Sequence, residues 1–391
     1  MRFVTRGRPG PVRLGLAAAA LVATALVPAA ASASAQSSPV VGHVYVNDNT
    51  AGANTIGAFD RHADGTLTPE GGSPFTAGGA GTGVGLASQG ALQISPDVRF
   101  LIAADAGSNQ ISVLRIRGNG SLKLVSGGVV PSGGVLPVSI AIHGDLVYVA
   151  NSGTGGSNYT GFRLRRNGRL VPIAGSAVAL PDGAQPGDVL FNGDGTKLAG
   201  TRVGTSQIDS FTVGAGGLLT AAPASPFPAQ GFGPFGSQFR PTDPDQLFVS
   251  NAHNTAADSG TVSAFRDSAD GTLSPIGSSP FADRQMAPCW VEISHNGRFL
   301  FTVNTASGSI SRYRITRRGA LSLLGSTAVR ANGGVGAVDA RLSPDGRYLY
   351  VDESKIGAVG AFAVNGGGLT ELASSPASLP TGATPAGVVV T

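Results

Sequence analysis

A Gly-x-Leu turn recurs seven times along this 391-residue chain at nearly even spacing. Its leucines are Leu67, Leu122, Leu170, Leu218, Leu273, Leu321 and Leu369, with gaps of 55, 48, 48, 55, 48 and 48 residues. A repeat of this size cannot bury an apolar face alone, so neighbours must stack. The intervening runs have the short, β-branched and aromatic character of strands. A period near 50 with that composition predicts an all-β, seven-bladed propeller of four-stranded blades.

Aligned units show how each blade is built. An inner strand opens near proline, as in Pro137-Val-Ser-Ile-Ala-Ile, Pro186-Gly-Asp-Val-Leu-Phe and Pro288-Cys-Trp-Val-Glu-Ile. A tight turn follows, such as Ser95-Pro-Asp97 or Ser343-Pro-Asp-Gly346, whose Pro and Gly preset turn dihedrals. The second strand comes next. The third carries an apolar residue and usually an aromatic one three positions later: Ile56/Phe59, Tyr159/Phe162, Ile208/Phe211, Val262/Phe265, Ile310/Tyr313 and Val359/Phe362, with Ile111/Leu114 as the variant. Positions three apart in a strand lie on opposite faces, so both faces of a blade must be covered by neighbours.

The first unit lacks an inner strand, and the last segment, 384–391, is an inner strand with nothing after it. Val388-Val389-Val390 is therefore expected to complete the first blade and close the ring, leaving no open sheet edge. Before the repeats, Arg2, Arg6, Arg8 and Arg13 precede an Ala-rich apolar run and an Ala33-Ser34-Ala35 cleavage pattern. Residues 1–35 read as a secretory signal peptide, 36–41 as a short linker, and 42–391 as one propeller. A secreted, extracellular monomer with no membrane span after cleavage is expected.

That leader holds four arginines and no acid, which leaves 23 basic and 23 acidic residues in the mature protein. A balanced surface gives no support to nucleic-acid binding. The single cysteine, Cys289, cannot form an internal disulfide and reads as a buried filler. His43, His62, His143, His253 and His295 lie in separate repeats without metal-ligand spacing, so no metal is expected. The stretch Gly78 to Gly85 has G-x-G-x-G spacing outside any strand–helix context, and reads as a flexible inter-blade loop. No cofactor motif occurs. The longer connections, Thr76 to Gln89, Asn151 to Thr160 and Asn251 to Gly260, emerge on one end of a propeller, which makes that end the expected working face.

Counted from the initial Pro, the third and fifth following residues of each inner strand are mostly apolar. The second and fourth form the other phase: Ala91/Gln93, Ser139/Ala141, Asp188/Leu190, Gly236/Gln238, Trp290/Glu292, Asp339/Arg341 and Gly387/Val389. This phase is expected to lean toward the channel. Asp339 and Glu292 are the candidate catalytic acids. Asp188, Trp290, Arg341, Gln93, Gln238 and Arg202 are the candidate ligand contacts, with Trp290 as an apolar platform. Arg202 ends a second strand where other blades have mostly Asx, and is expected over the channel mouth. Charges that pair and simply seal a wet channel are the competing reading.

The run Ser343-Pro-Asp-Gly-Arg-Tyr-Leu-Tyr-Val351, with the Gly-x-Leu-Thr turns, resembles the lactonase-like seven-bladed propellers. That family includes 6-phosphogluconolactonases and carboxymuconate cyclases; Tyr-Val-x-Asn propellers without known chemistry share its repeats. The resemblance implies an acid four residues before the turn, and Asp339 matches. It also implies an Arg after the second strand of that blade, where this chain has Ser354 beside Lys355. A family Pro-His pair is absent at Pro137-Val138 and Pro186-Gly187. These losses favour a module that binds a small molecule, or a cell-envelope glycan or protein, over the alternative, a divergent lactone hydrolase or muconate-cyclase-like enzyme.

Overall fold

The computed structural model describes residues 38–254, 256–330 and 336–391, together with 1, 3, 7 and 9–11. Nearly all of the expected leader lies outside the described residues. Among those described, no helix is long and apolar enough to cross a membrane.

Seven antiparallel sheets make up the domain. The inner strands of blades 2 to 7 are Leu92–Ile94, Pro137–His143, Pro186–Phe191, Pro234–Arg240, Pro288–Ile293 and Ala337–Leu342. Blade 1 starts at its second strand, Val40–Asn47, and its inner strand is the C-terminal Val388–Val390. The two pair antiparallel as Val44↔Val390, Tyr45↔Val389 and Val46↔Val388. Arg61 Nε adds a bond to the Thr391 carbonyl at 3.0 Å. The ring is closed as the sequence predicts.

Every member of the third-strand pairs is buried, from Ile56 and Phe59 through Val359 and Phe362. Burying one such side chain contributes about 1.5–3 kcal/mol. Blades also lock edge to turn: Tyr45, Tyr148 and Tyr350 donate their hydroxyls to the carbonyls of Gly120, Gly217 and Gly65, which are turn glycines of the next blade. A Cβ on Gly65, at φ +83°, would come within 2.2 Å of the Tyr348 ring. That close approach explains why the turn uses glycine.

The fourth unit departs from the leucine count. Its positive-φ glycine is Gly217, closed by the Gly217 N–H to the Gly214 carbonyl at 2.8 Å. The leucine opening the fourth strand is therefore Leu219, while Leu218 sits on the turn, 43% exposed. Two glycines followed by two leucines allow either register in sequence; the turn hydrogen bond selects one.

In most blades the fourth strand is interrupted. In blade 1 it runs Leu67–Pro69, breaks, and resumes at Phe75–Thr76. At the break the Ser73 hydroxyl accepts from the Ala58 N–H at 2.8 Å, and Ser225 and Ser279 accept from Ser210 and Ala264 N–H groups. Serine in Ser-Pro-Phe thus satisfies a ladder donor that the broken strand leaves free.

Candidate functional site

The longest inter-blade segment enters the ring. After Phe75–Thr76 the chain runs along blade 1, where Asn49 Nδ2 donates to the Val84 carbonyl at 2.6 Å and Asn49 Oδ1 accepts from the Thr82 N–H at 2.8 Å. A Cβ on Gly81 would sit 2.3 Å from the Asn49 backbone. The glycine-rich stretch expected to be a flexible loop is instead stitched to its neighbour, with glycine permitting the approach.

Ser88, Gln89 and Gly90 then cross between the inner strands. The Ser88 hydroxyl donates to the Val138 carbonyl of blade 3 at 2.7 Å, and the Gln89 N–H to the Gly187 carbonyl of blade 4 at 2.9 Å. The Gln89 side chain bridges two more blades: Nε2 donates to the Ser237 carbonyl and Oε1 accepts from the Val291 N–H, both at 2.9 Å. The Trp290 indole donates to the Ser88 carbonyl at 2.8 Å. The Gly90 N–H donates to Asp339 Oδ2 at 3.1 Å. One tripeptide therefore bonds to five blades besides its own. Gly236 makes room for it, since a Cβ there would lie 2.2 Å from Gln89 Oε1.

Two cavities flank this tripeptide. The upper one, at the beginnings of the inner strands and the loop-rich face, has a volume of about 240 Å³. Leu86, Phe235, Cys289, Trp290 and Ala386 give it an apolar wall, with Asp339, Thr305 and Ser354 as its main polar groups. The lower one, of about 280 Å³, lies at the ends of the inner strands. Gln93, Gln238, Asp188, Arg240 and Arg341 line it, with Phe191 and Phe239. Its mouth is framed by Gly193 and Pro241, exposed turn residues of the short-turn face. A ligand-sized space therefore exists at each end, not only at the loop-rich end.

The structure brings Asp188, Glu292 and Asp339 around Arg341, but Asp188 lines the lower space, Asp339 the upper one and Glu292 neither. Asp188 accepts from the Ser237 N–H and hydroxyl at 2.9 and 2.7 Å, and from the Ser139 hydroxyl at 3.2 Å. Glu292 accepts from the Leu342 N–H at 2.9 Å and lies 3.7 Å from an Arg341 nitrogen. Asp339 also accepts from its neighbour, the Ala340 N–H. Burial pushes the Asp188 and Glu292 carboxyls up to about 7, despite these donors and Arg341. Asp339 is raised for the same reason, opposed by Arg341 and backbone N–H groups. Desolvation disfavours each anion more than one shared guanidinium can offset.

Trp290 is 5% exposed and walls the upper cavity against Phe235, ring centroids 5.2 Å apart. Gln93 and Gln238 line the lower cavity only. Arg202 does not face the channel mouth: Asp209 holds it through two bonds of 2.5 and 2.7 Å. Asp209 lies diagonally across the hairpin, two residues beyond Gln207, the register partner of Arg202, and an ion pair there removes a buried charge that would otherwise be unpaired. Burial pushes the Cys289 thiol up to about 12, which removes it as a nucleophile at neutral pH. Among the described residues no acid, histidine or cysteine cluster could hold a metal.

Sequence reasoning missed Gln89, Ser88 and Thr305. The extra residues between the first two Gly-x-Leu turns were the available signal for the first two. For Thr305 there was none.

A family model described as lactonase, seven-bladed β-propeller, matches residues 42–191 and 237–385. The chain belongs to this family. Within the lactonase family it is similar to the 6-phosphogluconolactonase of Cronobacter sakazakii, 34% identical over 121 residues, which is 31% of this chain and 34% of that enzyme. The match thus spans about a third of the enzyme's length. The fold is shared with a candidate 6-phosphogluconolactonase of Bacteroides uniformis, TM-score 0.71 at 20% identity, covering 90% of this chain and 100% of that one. It is shared too with the periplasmic gluconolactonase of Pseudomonas aeruginosa, TM-score 0.69 at 19% identity, covering 90% and 99%. At these identities the likeness is one of fold.

Proposed function

We propose that this lactonase-family propeller hydrolyses the ring ester of an unphosphorylated lactone in the upper cavity, with Asp339 as general base. The observation that carries this reading is a buried carboxylate on the wall of a mostly apolar, ligand-sized space. Its raised pKa moves a weak base toward the range where it can accept a proton from water near neutral pH. Asp339 takes a proton from water while the water oxygen attacks the lactone carbonyl carbon. The tetrahedral adduct then breaks its ring C–O bond, and the proton passes to the departing alkoxide, giving a hydroxy acid. The Thr305 side chain lines the same wall beside the Cys289 thiol, and in this reading its hydroxyl donates to the carbonyl oxygen as its charge grows.

Family membership and the 6-phosphogluconolactonase relative support ester-ring chemistry. The lining argues against a phosphorylated substrate. No described residue of the upper cavity is an Arg or Lys, and Arg341 lines only the lower one. A phosphate needs such partners to be desolvated. An export signal in residues 1–35 agrees with an unphosphorylated substrate met outside the cytoplasm.

Ser354 stands where the family resemblance implies Arg, and this favours a second reading, a propeller that binds a ligand without turning it over. A lactone panel on the mature protein and its Asp339→Asn variant separates the two. The enzyme reading expects turnover in the parent chain, rising with pH through a pKa above that of ordinary aspartate, and lost in the variant. Lactones that bind both proteins but are hydrolysed by neither would establish the binder.

A further inference from the structure

We propose that the lower cavity is a second, separate ligand site, for a neutral hydroxyl-rich molecule of monosaccharide size. Its first support is isolation. Ser88–Gly90 bonds to the inner strands of five blades, so a ligand entering past Gly193 and Pro241 does not reach Asp339 or Trp290 along the axis.

The second support is unmet hydrogen-bonding capacity on residues that line that space. Gln238 Oε1 and Arg341 Nε are both buried atoms without a partner. Among the described residues Arg341 has no hydrogen-bond partner, the Glu292 carboxylate lying 3.7 Å away. One atom seeks a donor and the other an acceptor. A hydroxyl supplies both roles, whereas a carboxylate or phosphate supplies only acceptors. Buried polar groups left this way are costly unless a ligand or water meets them.

Charge decides between a neutral ligand and an anion. Asp188, Glu292 and Asp339 all act on the one guanidinium of Arg341. Arg240, the second guanidinium of the lining, already donates to Gln246 Oε1 and to the Gly297 and Thr316 carbonyls. A further negative group would meet Asp188 in the same lining, while hydroxyls can donate to Asp188 and accept from Arg341 at no charge cost. Phe191 and Phe239 supply apolar faces of the kind that pack against the C–H face of a sugar ring. The volume, about 280 Å³, sits at the small end of small-molecule pockets, which limits the occupant to one ring.

The test uses the mature protein with D-glucose, methyl α-D-glucoside, gluconate and 6-phosphogluconate as probes, followed by saturation-transfer NMR and calorimetry. The neutral sugars are expected to bind, and the two anions to bind more weakly. Gln238→Leu should weaken sugar binding about tenfold or more, the loss of a hydrogen bond together with the partner it leaves unpaired. Leu190→Trp, which fills the cavity from its wall, should abolish it. The chain has a single tryptophan, Trp290, on the far side of the tripeptide. Its fluorescence in the parent protein should stay constant while the sugar titrates. Absence of binding by both neutral sugars, preference for either anion, indifference to both variants, or Trp290 quenching in step with saturation would each overturn the proposal. None of these readouts depends on lactone turnover, so failure here and failure of the lactonase reading are separate results.

Discussion

The indole Nε1 of Trp290 donates to the carbonyl oxygen of Ser88 at 2.8 Å, joining residues 202 positions apart across the centre of the ring. Gln89, the next residue, holds blades 5 and 6 through its one side-chain amide. Gln89→Leu keeps the volume and removes both bonds, leaving the Val291 N–H and the Ser237 carbonyl without that partner. The expected cost is about 2–4 kcal/mol, seen as a lower urea midpoint with an unchanged slope. A midpoint within error of the parent would show that the tripeptide contributes little to holding the ring together.

Buried acids give this fold an unusual pH dependence. Burial pushes Asp48, Asp188, Glu292 and Glu353 up to about 7, and Asp267 to about 6. Each folded-state pKa lies above its unfolded value, so the native state binds more protons across the interval between them. Stability therefore falls as pH rises from about 4 to 7. Asp64, Asp97 and Asp345 are lowered, and what they contribute is already complete above the ordinary carboxyl range. His43, lowered by burial, opposes the trend as a single group. The melting temperature should be higher at pH 5 than at pH 8; the reverse order would contradict the placement of these acids.

The ring was readable in the sequence because its determinants are local. The Ile56/Phe59-type pairs sit three residues apart, and ring closure follows from a first unit lacking the strand that Val388–Val390 provides. The channel-facing phase was readable for the same reason, since alternation along a strand is a property of neighbours. The tripeptide was not. Its contacts to Val138, Ser237, Val291 and Asp339 span 50 to 249 residues. Local pattern says nothing about which backbone groups meet across a ring. The division of Asp339 from Arg341, two residues apart on one strand, was hidden with it.

Arg202 has its partner within the same hairpin. Asp209 follows seven residues later across the same hairpin and is 1% exposed, and it also accepts from the Tyr159 hydroxyl at 2.9 Å. Arg202→Leu leaves that carboxylate buried beside a phenol with no cation. A loss of about 3–5 kcal/mol is expected in thermal or urea unfolding. The double variant Arg202→Leu/Asp209→Asn, which removes the charge as well, should regain most of it. Equal losses in both variants would mean that packing of the Arg202 stem, not the ion pair, sets the cost.

Val98 occupies a backbone conformation that its counterparts reserve for glycine. In the first turns of blades 4, 6 and 7 the matching residues are Gly195, Gly297 and Gly346, at φ +68°, +64° and +68°. Val98 sits at φ +55° in the turn after Ser95-Pro-Asp97. A left-handed conformation costs a side-chain-bearing residue roughly 1–2 kcal/mol, and a β-branched residue bears that cost in full. Its side chain is 47% exposed, so little packing is lost on removal. Glycine also widens the unfolded ensemble, an opposing effect of about 0.5–1 kcal/mol. Val98→Gly should therefore raise stability by about 0.5–1 kcal/mol, read as a higher urea midpoint. The turn bonds that the Ser95 hydroxyl accepts, from the Arg99 N–H at 3.2 Å and the Phe100 N–H at 3.0 Å, do not involve the Val98 side chain and persist in the variant. A lower midpoint would mean that the exposed valine makes a contact worth more than its strain.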